Sequence, residues 1–196
     1  MSRTQRPPTI PVNALLSAYS KGFFPMCHDD GELYWHDPDP RAVFPLKGLA
    51  PNVRLQRALR KTDFRVTNDE AFEAVMRACA DREETWIDER LISSFLGLHL
   101  AGYAHSVETW SGDDLVGGIY GVSLQGAFFG ESMFSRRTNA GKAAFYGLVA
   151  HLQHRGHVLF DTQYINDFTA QLGALEISRV LFRDRLEAAL QADVQF

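Results

Sequence analysis

Cysteine is nearly absent: Cys27 and Cys79 are the only two in 196 residues. One pair cannot build a disulfide framework, and its separation excludes a CxxC metal or redox motif. Long apolar runs are missing as well. No stretch approaches the ~18 apolar residues of a membrane span, and no apolar signal core follows the basic, Pro-rich start Met1–Pro11. A cytoplasmic protein with reduced thiols and no membrane partner is expected. Positive charge is not in excess, since 20 Lys+Arg face 24 Asp+Glu for a net charge of −4. That excludes a generally basic nucleic-acid coat but leaves room for local basic patches. There is no GxxxxGK[ST] and no GxGxxG after a strand, so neither a P-loop nor a dinucleotide fold is indicated. Gly130-Glu131-Ser132-Met133-Phe134 carries Phe where a nucleophile elbow needs Gly, which makes Ser132 a poor hydrolase nucleophile.

What is present is an ordinary globular composition, with 45% hydrophobic and 22% charged residues, enough for one domain or one domain with a small appendage. Asn13 is the expected cap of a short helix that Gly22 closes. Asp37-Pro38-Asp39-Pro40 is a rigid turn, and Arg41–Leu46 reads as extended. Pro51-Asn52 opens an Arg-rich helix to Lys61, and Phe64–Thr67 alternates like a strand. Asn68 or Asp69 is the expected cap of the next helix, and Asp88 starts another. Three strands follow, His105–Trp110, Leu115–Val122 and Gly126–Glu131, the first two joined by the hairpin signal Ser111-Gly112-Asp113-Asp114. A long helix from about Asn139 to Gly156 precedes a buried strand at Val158–Asp161. A short helix, a strand at Ala174–Ile177 and a last helix carrying Val180, Leu181, Leu186 and Leu190 complete the chain. This predicts an α/β (α+β) mixed sheet with helices on both faces. The order is similar to that of the GNAT acyltransferase fold, yet the Arg-x-x-Gly-x-Gly/Ala loop that binds coenzyme A pyrophosphate is absent.

Chemistry concentrates in two segments. Gly130–Arg136 ends a strand and enters a helix, and about thirty residues on Phe160-Asp161-Thr162-Gln163 ends another, followed by Asn166. In an extended segment Asp161 and Gln163 share a face, because the side-chain period is 2. A carboxylate and an amide together at a strand end suit the orientation of a reacting amine or hydroxyl; capping of the next helix is the other reading. Arg54, Arg57 and Lys61 lie on one helical face, suited either to phosphate or to solvent. His151 and His154 share a helix face with His157 beyond its end, but no carboxylate or thiol completes a metal set nearby, so no metal is expected.

The segments Phe23-Phe24-Pro25, Trp35–Val43, Thr85-Trp86-Ile87, Ala104–Glu108, Gly117–Gly121, Gly130–Arg136 and Asp161-Thr162-Gln163 together resemble the leucyl/phenylalanyl-tRNA–protein transferase family, over about Leu15 to Leu190. The resemblance implies transfer of Leu or Phe from aminoacyl-tRNA to the N-terminal Arg or Lys of a protein, marking it for N-degron degradation. It implies no cofactor, and a shortened N-terminal domain (1–46) beside a GNAT-like catalytic domain (47–196). A monomer is expected. Asp161 and Gln163 are the expected catalytic pair, with Asp161 polarising Gln163 as it holds the amine. The acceptor's cation falls to Glu131 with Asn166; the alternative for Glu131 is an ion pair with Arg136 or Arg137. Ile119, Phe128, Met133 and Phe160 flank the motif as an aminoacyl pocket. Trp86 is expected to stack on the terminal adenine, with Arg54, Arg57 and Lys61 on tRNA phosphates. Met26, Gly141 and Phe168 stand where the family commonly has Trp, Ser and His. These departures leave open a changed preference for acidic N-termini. A small-molecule N-acyltransferase of the same fold and a non-catalytic tRNA- or N-degron-binding module are the competing classes.

Overall fold

The computed structural model describes residues 9–196, so the basic start, up to residue 8, lies outside the described residues. Helix α1 (Val12–Tyr19) begins on Pro11 rather than on the expected Asn13 cap. The Pro11 carbonyl accepts from the N–H groups of Ala14 and Leu15, and no side chain caps the helix. Gly22, at φ 86°, ends this segment in the left-handed region that glycine enters freely. Strands β1 (Phe24–Cys27) and β2 (Leu33–His36) then form an antiparallel hairpin that is a sheet of its own.

The remaining elements are β3 (Arg41–Phe44), α2 (Val53–Leu59), β4 (Phe64–Asn68), α3 (Phe72–Ala80), α4 (Glu89–Leu100), β5 (Ala104–Ser111), β6 (Asp114–Leu124) and β7 (Ala127–Ser135). They continue with α5 (Ala140–Arg155), β8 (Leu159–Gln163), α6 (Asp167–Gln171), β9 (Leu175–Ile177) and α7 (Arg179–Leu190). Asn52 and Asp88 cap α2 and α4 as expected. The expected cap of α3 is not made: Ala71 holds the cap position, and Asp69 instead accepts from the Ser106 N–H and pairs with His105. Along α7 the expected apolar residues Val180 and Leu181 face solvent, while Phe182, Leu186 and Ala189 are buried.

Seven strands form one mixed sheet in the order β4-β5-β6-β7-β8-β3-β9, in which β7–β8 is parallel and every other pair antiparallel. This is the mixed α/β sheet expected of a GNAT-like domain. Strand β3 lies before the expected division at residue 46, yet it pairs with β8 on one side and β9 on the other, and all four of its residues are buried. Neighbouring residues separate onto the two faces. Phe128 joins a cluster with Phe44, Phe145, Leu148 and Phe160, while Phe129 joins one with Leu15, Tyr19, Phe95 and Phe182. Helix α5 packs on the first cluster's side of the sheet; α1, α3, α4 and α7 contribute to the other.

Two irregularities fall beside each other at the centre of the sheet. Tyr120 pairs with Ser132 and Gly121 with Gly130, so Glu131 is an extra residue on β7. On β8, Gln163 and Asp161 pair with the consecutive residues Ala42 and Val43, which leaves Thr162 extra. Gly121 permits the first bulge, because a Cβ there would land on the Phe129 carbonyl oxygen. Bulges re-aim side chains and are frequent next to active sites.

Candidate active site

Strands β7 and β8 pair only from Ala127–Leu159 to Phe129–Asp161, although β7 runs on to Ser135 and β8 to Gln163. Past that point a cavity of about 460 Å³ is lined by both strands. It lies at the carboxyl ends of a parallel pair, the usual place for ligands in α/β sheets. Both bulged stretches open onto it, with Glu131 and Ser132 on β7 and Thr162 and Gln163 on β8.

Glu131 is the buried acid of this cavity, 8% exposed. Its Oε1 accepts from the Tyr19 hydroxyl at 2.8 Å and from the Gln163 side-chain amide at 3.1 Å. Its Oε2 has no partner among the described residues. Burial pushes the carboxyl up to about 8, against the two donated hydrogen bonds, which hold it down. Tyr19, raised well above its ordinary range by burial and by Glu131, stays protonated and donates. The alternative ion pairs for Glu131 are not formed: Arg136 lies 3.9 Å from Asp81 and Arg137 lies 3.3 Å from Asp63.

Asp161 and Gln163 do not act side by side as the period of 2 predicts. Gln163 has φ 66°, a left-handed conformation that costs a side-chain-bearing residue about 1–3 kcal/mol. Asp161 is fully buried and accepts from the Gln163 backbone N–H at 3.0 Å, while Arg41 donates to both its oxygens at 2.9 and 2.6 Å. Its carboxylate therefore touches the backbone of Gln163 and not the side-chain amide it was expected to polarise. Because the Gln163 Nε2 is committed to Glu131, the amide oxygen is left to accept from a guest.

The other predicted residues divide. Ile119, Met133, Phe160, Trp86 and Asn166 all line the cavity. Asn166 also caps α6, accepting from the Thr169 N–H at 2.9 Å, so the cap that the other reading gave to Asp161 and Gln163 is supplied by Asn166 instead. Phe128 does not reach the wall. It is 1% exposed and packs edge-on against Phe160, with ring centroids 5.6 Å apart. Arg54, Arg57 and Lys61 are exposed, take no ion-pair partner among the described residues and lie off the cavity wall. No group of three or more His, Cys, Asp or Glu among the described residues could hold a metal ion.

Sequence reasoning missed Tyr19, Arg41, Arg82 and Tyr164. Tyr19 reads as one more apolar residue of a short helix, and Arg41 as the first residue of an extended segment. Arg82 lines the cavity and donates to the Ser132 hydroxyl at 3.0 Å. Tyr164 lines it beside Gln163, with its hydroxyl 2.9 Å from His36 Nδ1.

The mixed sheet, opened at its parallel pair onto an apolar cavity with a buried acid and a carboxamide, has the architecture expected of a GNAT-like domain. The relatives narrow the class. The chain belongs to the leucyl/phenylalanyl-tRNA protein transferase family: that family's model matches residues 43–187, and the model of its N-terminal domain matches residues 9–39. A leucyl/phenylalanyl-tRNA–protein transferase of Gloeobacter violaceus is 48% identical over 189 residues, covering 96% of this chain and 98% of its own. Those of Paramagnetospirillum magneticum (49% over 191 residues, 94% and 91% covered) and Chlorobium limicola (47% over 192 residues, 95% and 99% covered) are similarly related. Among solved structures, an aminoglycoside acetyltransferase from a soil metagenome is 12% identical, with a TM-score of 0.41 over 56% of this chain and 84% of its own.

Proposed function

We propose that this chain moves Leu or Phe from aminoacyl-tRNA to a protein whose N-terminal residue is Arg or Lys. The observation that carries the reading is the free Oε2 of Glu131, a buried carboxyl oxygen in the cavity beside an available amide oxygen on Gln163. A guanidinium or ammonium gives that oxygen the charge-assisted partner it lacks. Asn166, on the same wall, assists.

The donor is an ester, already activated, and the acceptor amine has an ordinary pKa of ~8. Gln163 is no base, so its part is to hold the amine for attack through its amide oxygen. An acceptor that arrives as the ammonium first gives one proton to solvent; the neutral amine then replaces the 3′-oxygen at the carbonyl, and the proton it loses on becoming the amide goes to the ribose oxygen. Ile119, Met133 and Phe160 supply an apolar wall, and the pliable Met133 suits guests of two shapes. Trp86 offers a ring for the terminal adenine. The exposed Arg54, Arg57 and Lys61 are available to tRNA phosphates. The chain works as a monomer in the cytoplasm, the compartment that supplies aminoacyl-tRNA, with a small N-terminal unit that ends before β3, the strand that belongs to the catalytic sheet.

The test supplies labelled Phe-tRNA and Leu-tRNA with peptides beginning in Arg, Lys, Asp or Glu. Transfer to the Arg and Lys peptides is expected. Absence of transfer to every peptide overturns the reading. Transfer to Asp and Glu peptides alone keeps the reaction but overturns the role of Glu131.

A further inference from the structure

Arg41 is an arginine with no exposed surface, and the transfer chemistry makes no direct use of it. All three guanidinium nitrogens are engaged. Nε and Nη2 grip the two oxygens of Asp161 at 2.9 and 2.6 Å, and Nη1 donates to the Gly22 carbonyl at 2.9 Å. The rings of Phe24 and Phe182 lie against it at 4.8 and 4.3 Å from the guanidinium carbon. A buried ion pair of this kind is a poor source of stability, because well-packed apolar residues of the same volume usually do as well or better. Its use has to be sought in what it holds.

The held group is Asp161, and Asp161 holds Gln163. One Asp161 oxygen takes both the Arg41 Nε–H and the Gln163 backbone N–H, the latter at 3.0 Å. That bond sits at the residue whose backbone is left-handed, at φ 66°. The turn of the chain there carries the Gln163 amide to Glu131. Without a fixed acceptor, a glutamine leaves this conformation for an ordinary extended one, and its side chain leaves the cavity wall.

We propose that Arg41 is a positioning residue of the transfer step: it clamps Asp161, and the clamped carboxylate fixes the backbone of Gln163 so that its amide faces the incoming amine. Asp161 then acts on the protein chain rather than on the substrate. The inference rests on the reading of the site given under Proposed function.

The experiment measures single-turnover transfer from Phe-tRNA to an Arg-initiated peptide by R41K and D161N, each alone and combined with Q163A. Lysine keeps the charge of Arg41 but cannot grip both oxygens. R41K is expected to slow transfer by about a hundredfold, the scale of a small misplacement of a positioned group, with KM for both substrates within about twofold. In the Q163A background it is expected to change the rate by less than about twofold, since the group it acts through is gone. Equal losses in the two backgrounds overturn the proposal, as does a loss confined to KM or no loss at all. If R41K fails to fold, D161N with and without Q163A is held to the same outcomes. A wild type that transfers nothing overturns the functional reading instead, and the same assay reports it.

Discussion

Tyr19 and Gln163 donate to the same oxygen of Glu131, at 2.8 and 3.1 Å, one from the first helix and the other from the end of a central strand. The second oxygen is left without a partner in a buried setting. The acid is thus held from one side and open on the other, and its titration, its partner choice and its neighbours can each be tested.

Removing the carboxylate separates acceptor recognition from donor recognition. Glu131→Ala is expected to raise KM for Arg- and Lys-initiated peptides by about a hundredfold, the equivalent of a lost charge-assisted hydrogen bond. Binding of aminoacyl-tRNA, followed by filter retention, is expected to stay within about threefold, as for a site that shares no partner with the change. Equal losses in both assays would make Glu131 a structural residue.

The pH dependence has a sign. Glu131 titrates at about 8, and only its ionised form attracts a cation. Acceptor KM is therefore expected to fall as pH rises toward and through about 8. The α-amine titrates nearby, at ~8, but acts on the rate of attack. Glu131→Gln keeps that limb and loses the one in KM. Stability moves the other way. A carboxyl raised on folding contributes stability that is complete below its unfolded value of 4.5 and is lost as pH rises through about 8. Glu131→Gln is expected to gain a few kcal/mol on wild type between about pH 5 and about pH 9, read by denaturant titration at both. A constant difference contradicts the burial argument.

Tyr19→Phe removes a donor that holds the Glu131 carboxyl down. The pH at which acceptor KM improves should move upward, and stability should fall by about 1 kcal/mol, the net value of one hydrogen bond. An unchanged pH midpoint would show that Tyr19 only packs.

The basic helix is judged by salt. Arg54, Arg57 and Lys61 are all exposed, so the triple alanine variant should fold normally by circular dichroism. Its affinity for tRNA should drop, and the dependence of log K on log salt should flatten by about one unit for each phosphate left without its cation. An unchanged slope would assign these cations to solvent.

Local signals carried much of the architecture. The Asp88 and Asn52 caps and the Gly112 turn between β5 and β6 are readable from neighbouring residues. What escaped depends on distant partners or on conformations a residue type disfavours. The insertion of β3 between β8 and β9 pairs residues more than a hundred positions apart. Glutamine gives no warning of a positive φ, so the alternation rule put Asp161 and Gln163 on one face, where a bulge and a left-handed residue divide them. The burial of Arg41 is invisible because its partner stands 120 positions on. Nearness in sequence puts Phe128 on the cavity wall, whereas its ring belongs to the packing behind that wall.

The seat of β3 also sets a schedule for synthesis. Arg41 leaves the ribosome 120 residues ahead of Asp161. At ~5–20 residues per second that is roughly six to 24 seconds in which the guanidinium has no carboxylate. Strand β3 likewise waits for both of its neighbours, the second of which ends at Ile177. Nascent chains therefore emerge without a working centre, and catalytic competence arrives only when nearly all of the polypeptide has been translated.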